Sequence, residues 1–398
     1  MSILSVNAGS SSLKFALYPI TDSGIAEAEV TGNIEGLEPA GQPRISCGAT
    51  GQTKTSALVA VQPGEDVFDA ALRTLKDLLT TRFAHVRVQA IAHRVVHGGQ
   101  HFSASVLVTP AVLTQLATLN ALAPLHQPHN LAGIRAFAES FAQLPQVACF
   151  DTAFHSSLSP LETTFAIDRT LTATGVRRYG FHGLSYQYVS QVLQRLSSRS
   201  AYRTVMAHLG NGASVCATTG HASRATTMGF SALDGLMMGT RSGAIDPGVL
   251  LYLMEQGWDH DKLQKLLYKQ SGLLGVSGES ADMRTLRAST SEAARFATDL
   301  FAHRVVREVG ALSACVGGLD VLAFTGGIGE HDAVLRQQVG EALAYLGVRV
   351  DAARNHAACG DTPQAIHADG SEVEIWVIPT DEGRVAAQEA LLLLALTG

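Results

Sequence analysis

Two short segments carry the residue types that hold phosphate. In Asn7-Ala-Gly-Ser-Ser-Ser-Leu-Lys14, glycine lets backbone N–H groups approach an anion, hydroxyls such as Ser10 and Ser12 add donors, and Lys14 brings one positive charge. His208-Leu209-Gly210-Asn211-Gly212-Ala-Ser214 repeats the design half a chain later. Either alone is consistent with an ordinary Gly-Ser turn; together they fit a nucleotide held between two domains better than two chance turns. A third segment, Gly326-Gly327-Ile328-Gly329-Glu330, joins an apolar run to a helical one, a context in which glycine amides and a helix start receive a nucleotide. It imitates a dinucleotide fingerprint, with Asp351 near the distance of a ribose-binding acid. Its sixth position, however, is Asp332 rather than glycine or alanine, which favours ATP over NAD.

Three arginines stand in apolar or glycine-rich settings: Arg94 in Ile91-Ala-His-Arg-Val-Val-His-Gly-Gly99, Arg241 in Met237-Met-Gly-Thr-Arg-Ser-Gly243, and Arg284 in Ser280-Ala-Asp-Met-Arg284. The planar fork of arginine suits carboxylate and phosphoryl oxygens, and a buried guanidinium needs a partner. An anionic ligand or an internal salt bridge would each serve. His93, His97 and His101 recur every four residues, but that spacing gathers metal ligands only on a helix, and this stretch reads as a strand ending at Gly98-Gly99, which argues against zinc. His126 and His182 lie in loop-like contexts, each a candidate donor to a phosphoryl oxygen or a plain surface histidine. Asp151 and Asp381-Glu382 close strand-like runs, where carboxylates suit Mg²⁺; helix capping is the alternative, above all for Asp381.

The elements that must position these groups alternate. Each glycine hairpin is flanked by β-like runs, Ile3 to Tyr18 and Thr204 to Ala217, suggesting a duplicated α/β unit. Strands are expected at 88–96, 146–150, 321–325 and 374–378. Helices are expected at 111–122, 132–143, 186–196, 293–312, 333–346 (stopping at Gly347) and 383–396, and 348–350 is strand-like. The Gly/Ser/Thr-rich stretch 31–55 reads as turns and loops.

The 398 residues exceed what one core usually fills, so two domains are expected, 1–150 with a returning helix at 383–398, and 151–382. With 46% hydrophobic and 16% charged residues the chain can fill both cores and carries no sign of disorder. A net charge of −6 without a basic tract argues against nucleic acid as a partner. Five scattered cysteines, never in a Cys-x-x-Cys pair, argue against a disulfide framework or structural zinc and for a reducing cytoplasm. No signal-peptide pattern precedes Ile3, and the longest apolar run, Ala390 to Leu396, is far shorter than the ~20 residues of a membrane span, so no membrane partner is expected.

Taken in order, Asn7 to Phe15, His93 to Gly99, Ala123-Pro-Leu-His126, Phe150-Asp-Thr-Ala-Phe-His155, Tyr179-Gly-Phe-His-Gly183, His208 to Ser214, Gly235 to Gly243, Phe324 to Glu330 and Pro379-Thr-Asp-Glu382 resemble the acetate kinase family over nearly the whole chain. The resemblance implies an α/β fold of two ribonuclease H-like (actin-like ATPase) domains with an interdomain cleft for ATP, and a homodimer. It further implies reversible, Mg²⁺-dependent transfer of the γ-phosphoryl of ATP to acetate, with Mn²⁺ as an alternative ion and ADP and acyl phosphate as products. A propionate or butyrate kinase, or a non-catalytic ATP-binding module of the superfamily, are the alternatives.

Carried over by motif, Asn7 and Glu382 would position the metal, and Ser10, Ser12 and Lys14 the nucleotide phosphates. His208, Leu209, Gly210, Asn211, Gly212, Asp282, Met283, Arg284, Gly327, Ile328, Gly329, Glu330 and His331 would complete the ATP site. Arg94 would bind the substrate carboxylate, with Val96, Leu125, Phe181 and Ala232 around the acyl chain. His182 and Arg241, assisted by Asn211 and His126, would stabilise the phosphoryl group in flight, and Asp151 matches the acid/base position. Because a carboxylic acid is already ionised at neutral pH, it needs no base, and Asp151 is expected instead to position the metal or its waters. Tyr186, Ala225, Ala232, Ala244 and His331 depart from the usual pattern. Ala232 replaces a pocket-lining proline, which makes room for propionate.

Overall fold

A computed structural model describes every residue except Ser10, Pro39, Ala40, Ala84, Leu125 and Gly398. The chain divides into two compact units, 1–154 with 381–398, and 155–380. These bounds lie a few residues from the expected 150/151 and 382/383, and the shift puts Asp151 and Glu382 in the same unit as Arg94.

In the first unit, strands β1 (Ser2–Ala8), β2 (Ser12–Thr21), β3 (Val30–Glu35), β4 (Val88–Val95) and β5 (Gln146–Phe150) form the centre of one sheet in the order β3-β2-β1-β4-β5. β1 pairs antiparallel with β2 and parallel with β4, and β4 runs parallel to β5. Central parallel strands are covered on both faces, which is why β5 is buried at every residue. β2 at the hinge of the hairpin instead alternates, Leu13, Phe15 and Leu17 inward and Lys14 outward. One face of this sheet packs into a core with the helix Val67–Thr81, through Leu4, Val6, Leu72 and Leu75. The helix Glu382–Thr397 packs on β1 and β4.

The stretch 31–55 departs from expectation: β3, Arg44–Ala49 and Thr55–Leu58 are strands that extend the sheet beyond β2. Their glycines, serines and threonines dilute the apolar signal, yet Val30, Ile34, Ile45 and Cys47 are buried at a period of two. Helices run Pro110–Ala117 and Gln127–Ser140, the latter starting five residues before the expected 132.

The second unit repeats the plan. Strands β6 (Thr204–Leu209), β7 (Ala213–Thr219), β8 (Ala222–Thr226), β9 (Val321–Thr325) and β10 (Glu374–Val377) lie in the order β8-β7-β6-β9-β10. β6 is antiparallel to β7 and parallel to β9, which is parallel to β10. The long helix Glu292–Cys315 packs against β6 and β7. The strand-like run 348–350 makes only an isolated bridge, Val350 to His367. Asp351 there caps a helix by accepting from the Arg354 amide at 2.9 Å, which removes the ribose-binding reading. Among the described residues no helix is long and apolar enough to cross a membrane.

Candidate active site

In open α/β sheets ligands gather beyond the carboxyl ends of parallel strands. In the first unit those ends are Asn7 on β1, Arg94 on β4, and Asp151 just past β5. The hairpin after β1 is closed by Gly9 N–H donating to Ser12 O at 2.8 Å, and the strand register sets Asn7 opposite Lys14. Asn7, Lys14, Arg94 and Glu382 line one cavity of about 170 Å³, with Tyr18 beside them. Tyr18 in turn donates to Asp381 at 2.6 Å, and Asp381 accepts from the Arg384 amide at 3.0 Å, so the first turn of the last helix is fixed where Glu382 projects.

Arg94 is held by acids of its own unit. Its Nε and Nη2 grip Asp151 bidentately, with distances of 2.7 to 3.2 Å, and Nε stands 3.4 Å from Glu382. Burial alone would push the guanidinium down. The charges of Asp151 and Glu382 and the bonds to Asp151 outweigh that and hold it above its usual range. Asp151 is 2% exposed, and both its oxygens face Arg94, an arrangement that fits a carboxylate orienting an arginine.

The loops that carry these groups are tied by two residues whose importance sequence reading missed. Asn130 accepts from the Val96 amide at 3.1 Å and donates to Ala8 O at 2.7 Å, joining the ends of β1 and β4. Gln127 makes a reciprocal pair with the backbone of His97. The only available signal was their place, Gln-Pro-His-Asn, at the start of a helix next to His126. Val96 is half-buried, His126 precedes that helix, and Leu125 lies outside the described residues, as does Ser10. His93 bonds to Gln146 at 2.6 Å, and among the described residues no three His, Cys, Asp or Glu side chains could together hold a metal.

The second unit assembles most of the remaining candidates. Gly210 N–H bonds to Gly212 O at 3.1 Å, closing a hairpin like the first, and β6–β7 register sets His208 opposite Ser214. His182 has φ 59°, a left-handed conformation that is costly for a residue with Cβ and that recurs at functional sites. Its ring stacks on His208, centroids 4.3 Å apart, and its Nδ1 meets Ser214 Oγ at 2.8 Å. A methyl group on Gly212 would stand 3.3 Å from His182 Nε2 and 3.7 Å from Arg241 Nη2, so both cationic or donor groups and the glycine backbone face one space. Gly239 packs against the Asn211 side chain. Arg241 Nη1 donates to Ala232 O at 2.8 Å. Phe181 is buried, its carbonyl taken by His155 Nε2 at 2.9 Å; burial pushes His155 down to about 4, so it is neutral at pH 7.

At β9, Gly326 at φ 76° lets the chain turn against Leu209 O, which a Cβ there would meet at 2.8 Å. The helical turn Gly326–His331 follows directly, and Gly327 lies beside Gly210. Glu330 faces inward, accepting from Gly326 N at 2.8 Å and Thr380 N at 3.0 Å, so it ties the ends of β9 and β10 together. Asp282 caps the short helix Met283–Ala288. Arg284 is 89% exposed and paired at 2.6 Å with Asp282 two residues away, the internal salt bridge that was one of its two expected partners. The arginine that is buried is Arg336, at 0% exposure, and its position on the buried stripe Leu335, Arg336, Val339, Gly340 was the overlooked signal.

Two units with one strand order, each closing a glycine hairpin at the ends of its parallel strands, define a two-domain kinase of the actin-like ATPase fold. The sequence profile of the acetokinase family matches residues 2–388, and the chain belongs to that family. It is 48% identical over 394 residues to the acetate kinase of Rhodopseudomonas palustris, covering 97% of this chain and 96% of that protein. The acetate kinase of Rickettsia akari is 38% identical, with 98% and 99% covered. Among solved structures, a propionate kinase from Francisella tularensis aligns with TM-score 0.89 at 38% identity over 98% of both chains. The Porphyromonas gingivalis acetate kinase aligns with TM-score 0.89 at 34% identity over 99% of both. This chain is therefore a kinase that transfers phosphate to a carboxylate and works with ATP and ADP.

Proposed function

We propose that the chain catalyses reversible transfer of the γ-phosphoryl of ATP to acetate, with propionate as a second substrate. A carboxylate oxygen attacks γ-phosphorus, the bond from phosphorus to the β–γ bridging oxygen breaks with its electron pair leaving on ADP, and no proton moves. The obstacle is repulsion between two anions, so the work falls to positioning and positive charge. The observation that carries the reading is the shared cavity of Asn7, Lys14, Arg94 and Glu382, with Arg94 already oriented by Asp151. Arg94 Nη1, which has no hydrogen-bond partner among the described residues, is the donor offered to the acid. His182 and Arg241 donate to the phosphoryl oxygens. Ser12, Lys14, the 208–212 hairpin, Met283 and Gly327–His331 serve the nucleotide, and Val96, Phe181 and Ala232 meet the acyl chain.

The donor set fits Mg²⁺, with Mn²⁺ as an alternative. The Asn7 amide oxygen and the Glu382 carboxylate suit a hard ion that keeps most of its own water. Asn7 and Glu382 would hold it, and when bound it would neutralise charge on the phosphate oxygens. Trapping acyl phosphate with hydroxylamine tests the whole reading. Acyl hydroxamate is expected from acetate and from propionate, and a sharp fall is expected at butyrate, since one methylene is worth ~1–3 kcal/mol in an apolar pocket. No hydroxamate from any of the three acids would end the proposal.

We further propose a cytoplasmic homodimer built on the helix Pro247–Glu255. None of its residues is buried, and Leu251, Tyr252 and Met254 are 63%, 60% and 57% exposed. A helix apolar on all sides requires a cover, and a second copy supplies an equally apolar face. Light scattering is expected to give a dimer mass for the native chain and a monomer mass for Leu251→Asp. A native monomer at micromolar concentration would rule the dimer out.

A further inference from the structure

We propose that the ion pair between Arg287 and Asp332 sets the spacing of the two segments that receive the nucleotide, Asp282 to Arg284 and Gly327 to His331, and so tunes ATP affinity without altering the acid site. The inference rests on the reading of those segments as the nucleotide site. Arg287 and Asp332 are positioning residues here, acting through the backbone that each of them holds.

Asp332 stands at the sixth position of the glycine string, where a dinucleotide fold has glycine or alanine, and it performs three tasks there. Its amide donates to Ile328 O at 2.9 Å and closes the turn Gly326–His331. Its Oδ1 accepts the Leu335 amide at 2.9 Å and starts the helix Ala333–Ala342. Its Oδ2 takes Arg287 Nε at 3.1 Å. Glycine or alanine could perform only the first. The side chains of Arg287 and Asp332 are 24% and 11% exposed, so water and salt screen the pair less than they screen one on the open surface.

Arg287 lies in the last turn of the helix Met283–Ala288, which Asp282 begins. That helix and Ala333–Ala342 each pack on the long helix Glu292–Cys315, and the guanidinium closes the triangle. Its Nη2 donates to Gln338 Oε1 at 3.2 Å, and Gln338 Nε2 donates to Asp299 Oδ1 on the long helix at 3.2 Å. Its Nη1 lies 3.5 Å from Thr298 Oγ1 on that same helix. A planar fork that addresses two helices at once fixes angle as well as distance, which a point charge does not. Met283 and Leu286 are buried, so the short helix moves as one body, and a displacement at Arg287 is carried back to Asp282 and Met283. At the other end of the pair, Asp332 directly follows His331, so the same displacement reaches the Gly327 to His331 turn.

Two variants separate the pair from the fold. Asp332→Asn keeps the helix cap, which asparagine supplies as well as aspartate, and removes the charge; Arg287→Met removes the fork. Titration calorimetry of the full-length protein with ATP and Mg²⁺ should give an ATP Kd raised about fivefold in each, within the range by which residues that touch no ligand modulate a site. The KM for acetate and the kcat at saturating ATP should stay at wild-type values. The double variant should bind ATP no more weakly than either single one, because both remove the same contact. Arg287→Lys should recover part of the loss. In the unliganded protein, hydrogen exchange should quicken at 283–288 and 327–332 in both single variants and keep its wild-type rate in β7. Unchanged ATP affinity in both single variants overturns the proposal, and so do losses that add in the double variant or that raise the KM for acetate equally. If Arg287→Met fails to fold, Asp332→Asn and Arg287→Lys decide. Gly327→Ala examines the reading beneath. A Cβ there would meet no described atom within 4 Å, so the variant should fold, and wild-type ATP affinity in it would defeat the nucleotide reading alone, because exchange at the two segments is recorded without ATP.

Discussion

Arg94→Ala is expected to lower kcat/KM for the carboxylic acid about 10²–10³-fold, the usual loss when one preorganised donor to a developing charge is removed. The guanidinium has two working edges. Asp151 takes Nε and Nη2, and the other edge carries the donor left for substrate. Arg94→Lys keeps the charge but recovers little, since an ammonium is a point donor and cannot hold Asp151 in a fork while addressing a second anion. Removal of Arg94 also takes the bidentate partner from Asp151, which is 2% exposed, and breaking a buried pair from one side costs about 3–5 kcal/mol. Rate and stability must therefore be separated. The double variant Arg94→Ala with Asp151→Asn removes both charges and is expected to regain much of the lost Tm without regaining turnover. Asp151→Asn alone, with Glu382 still 3.4 Å from Arg94, should raise KM for the acid and lower kcat less than Arg94→Ala does. Near-wild-type kinetics in Arg94→Ala would remove the carboxylate-binding role. Near-wild-type kinetics in Asp151→Asn would leave Asp151 neither an acid/base nor an orienting group.

The second large effect concerns stability. Arg336 bonds through all its nitrogens to neutral oxygens: Nε to Asn355 Oδ1 at 2.7 Å, Nη1 to the carbonyls of Gly329 and Glu330 at 3.0 and 2.8 Å, and Nη2 to those of Asn355 and Ala358 at 2.8 and 2.9 Å. Burial pushes its pKa down to about 10, still far above neutral, so it stays charged. The guanidinium thereby caps the carbonyls at the end of the Gly326–His331 turn. Arg336→Met nearly conserves volume but abandons five acceptors in a dry site, and is expected to cost about 3–5 kcal/mol. For a unit of this size that is a fall in Tm of roughly 6–20 °C. Arg336→Lys should rescue little, because three donors on one nitrogen cannot span these oxygens. A Tm within 2 °C of wild type for Arg336→Met would refute the assignment, as would ATP affinity falling while stability holds.

The sequence made the chemistry legible wherever a local string carried it. The two glycine hairpins, the arginines at 94 and 241, His182 and the buried run before Gly326 all lie in such strings; in the first unit Arg94 stands at the end of β4, and in the second His182 and Arg241 face Gly212. Long-range closure was not legible. That Asp151 and Glu382 converge on Arg94 depends on β4 and β5 being neighbours and on a helix from the far end of the chain, and spacing along the sequence holds no trace of either. Arg284 takes the internal alternative, paired by an aspartate two residues away, while Arg336 passed unnoticed because a helix with polar neighbours reads as surface. The strands between 30 and 58 were hidden by small residues whose burial comes from the neighbouring strand.

An acid that reaches Arg94 finds no bare cation. The guanidinium arrives with its charge already largely matched by two resident carboxylates, and the pull on any visiting anion is accordingly short in range, a matter of one well-aimed N–H. Charge then does little to tell formate, acetate or a longer homologue apart, and the choice among them passes to the walls that meet the carbon tail.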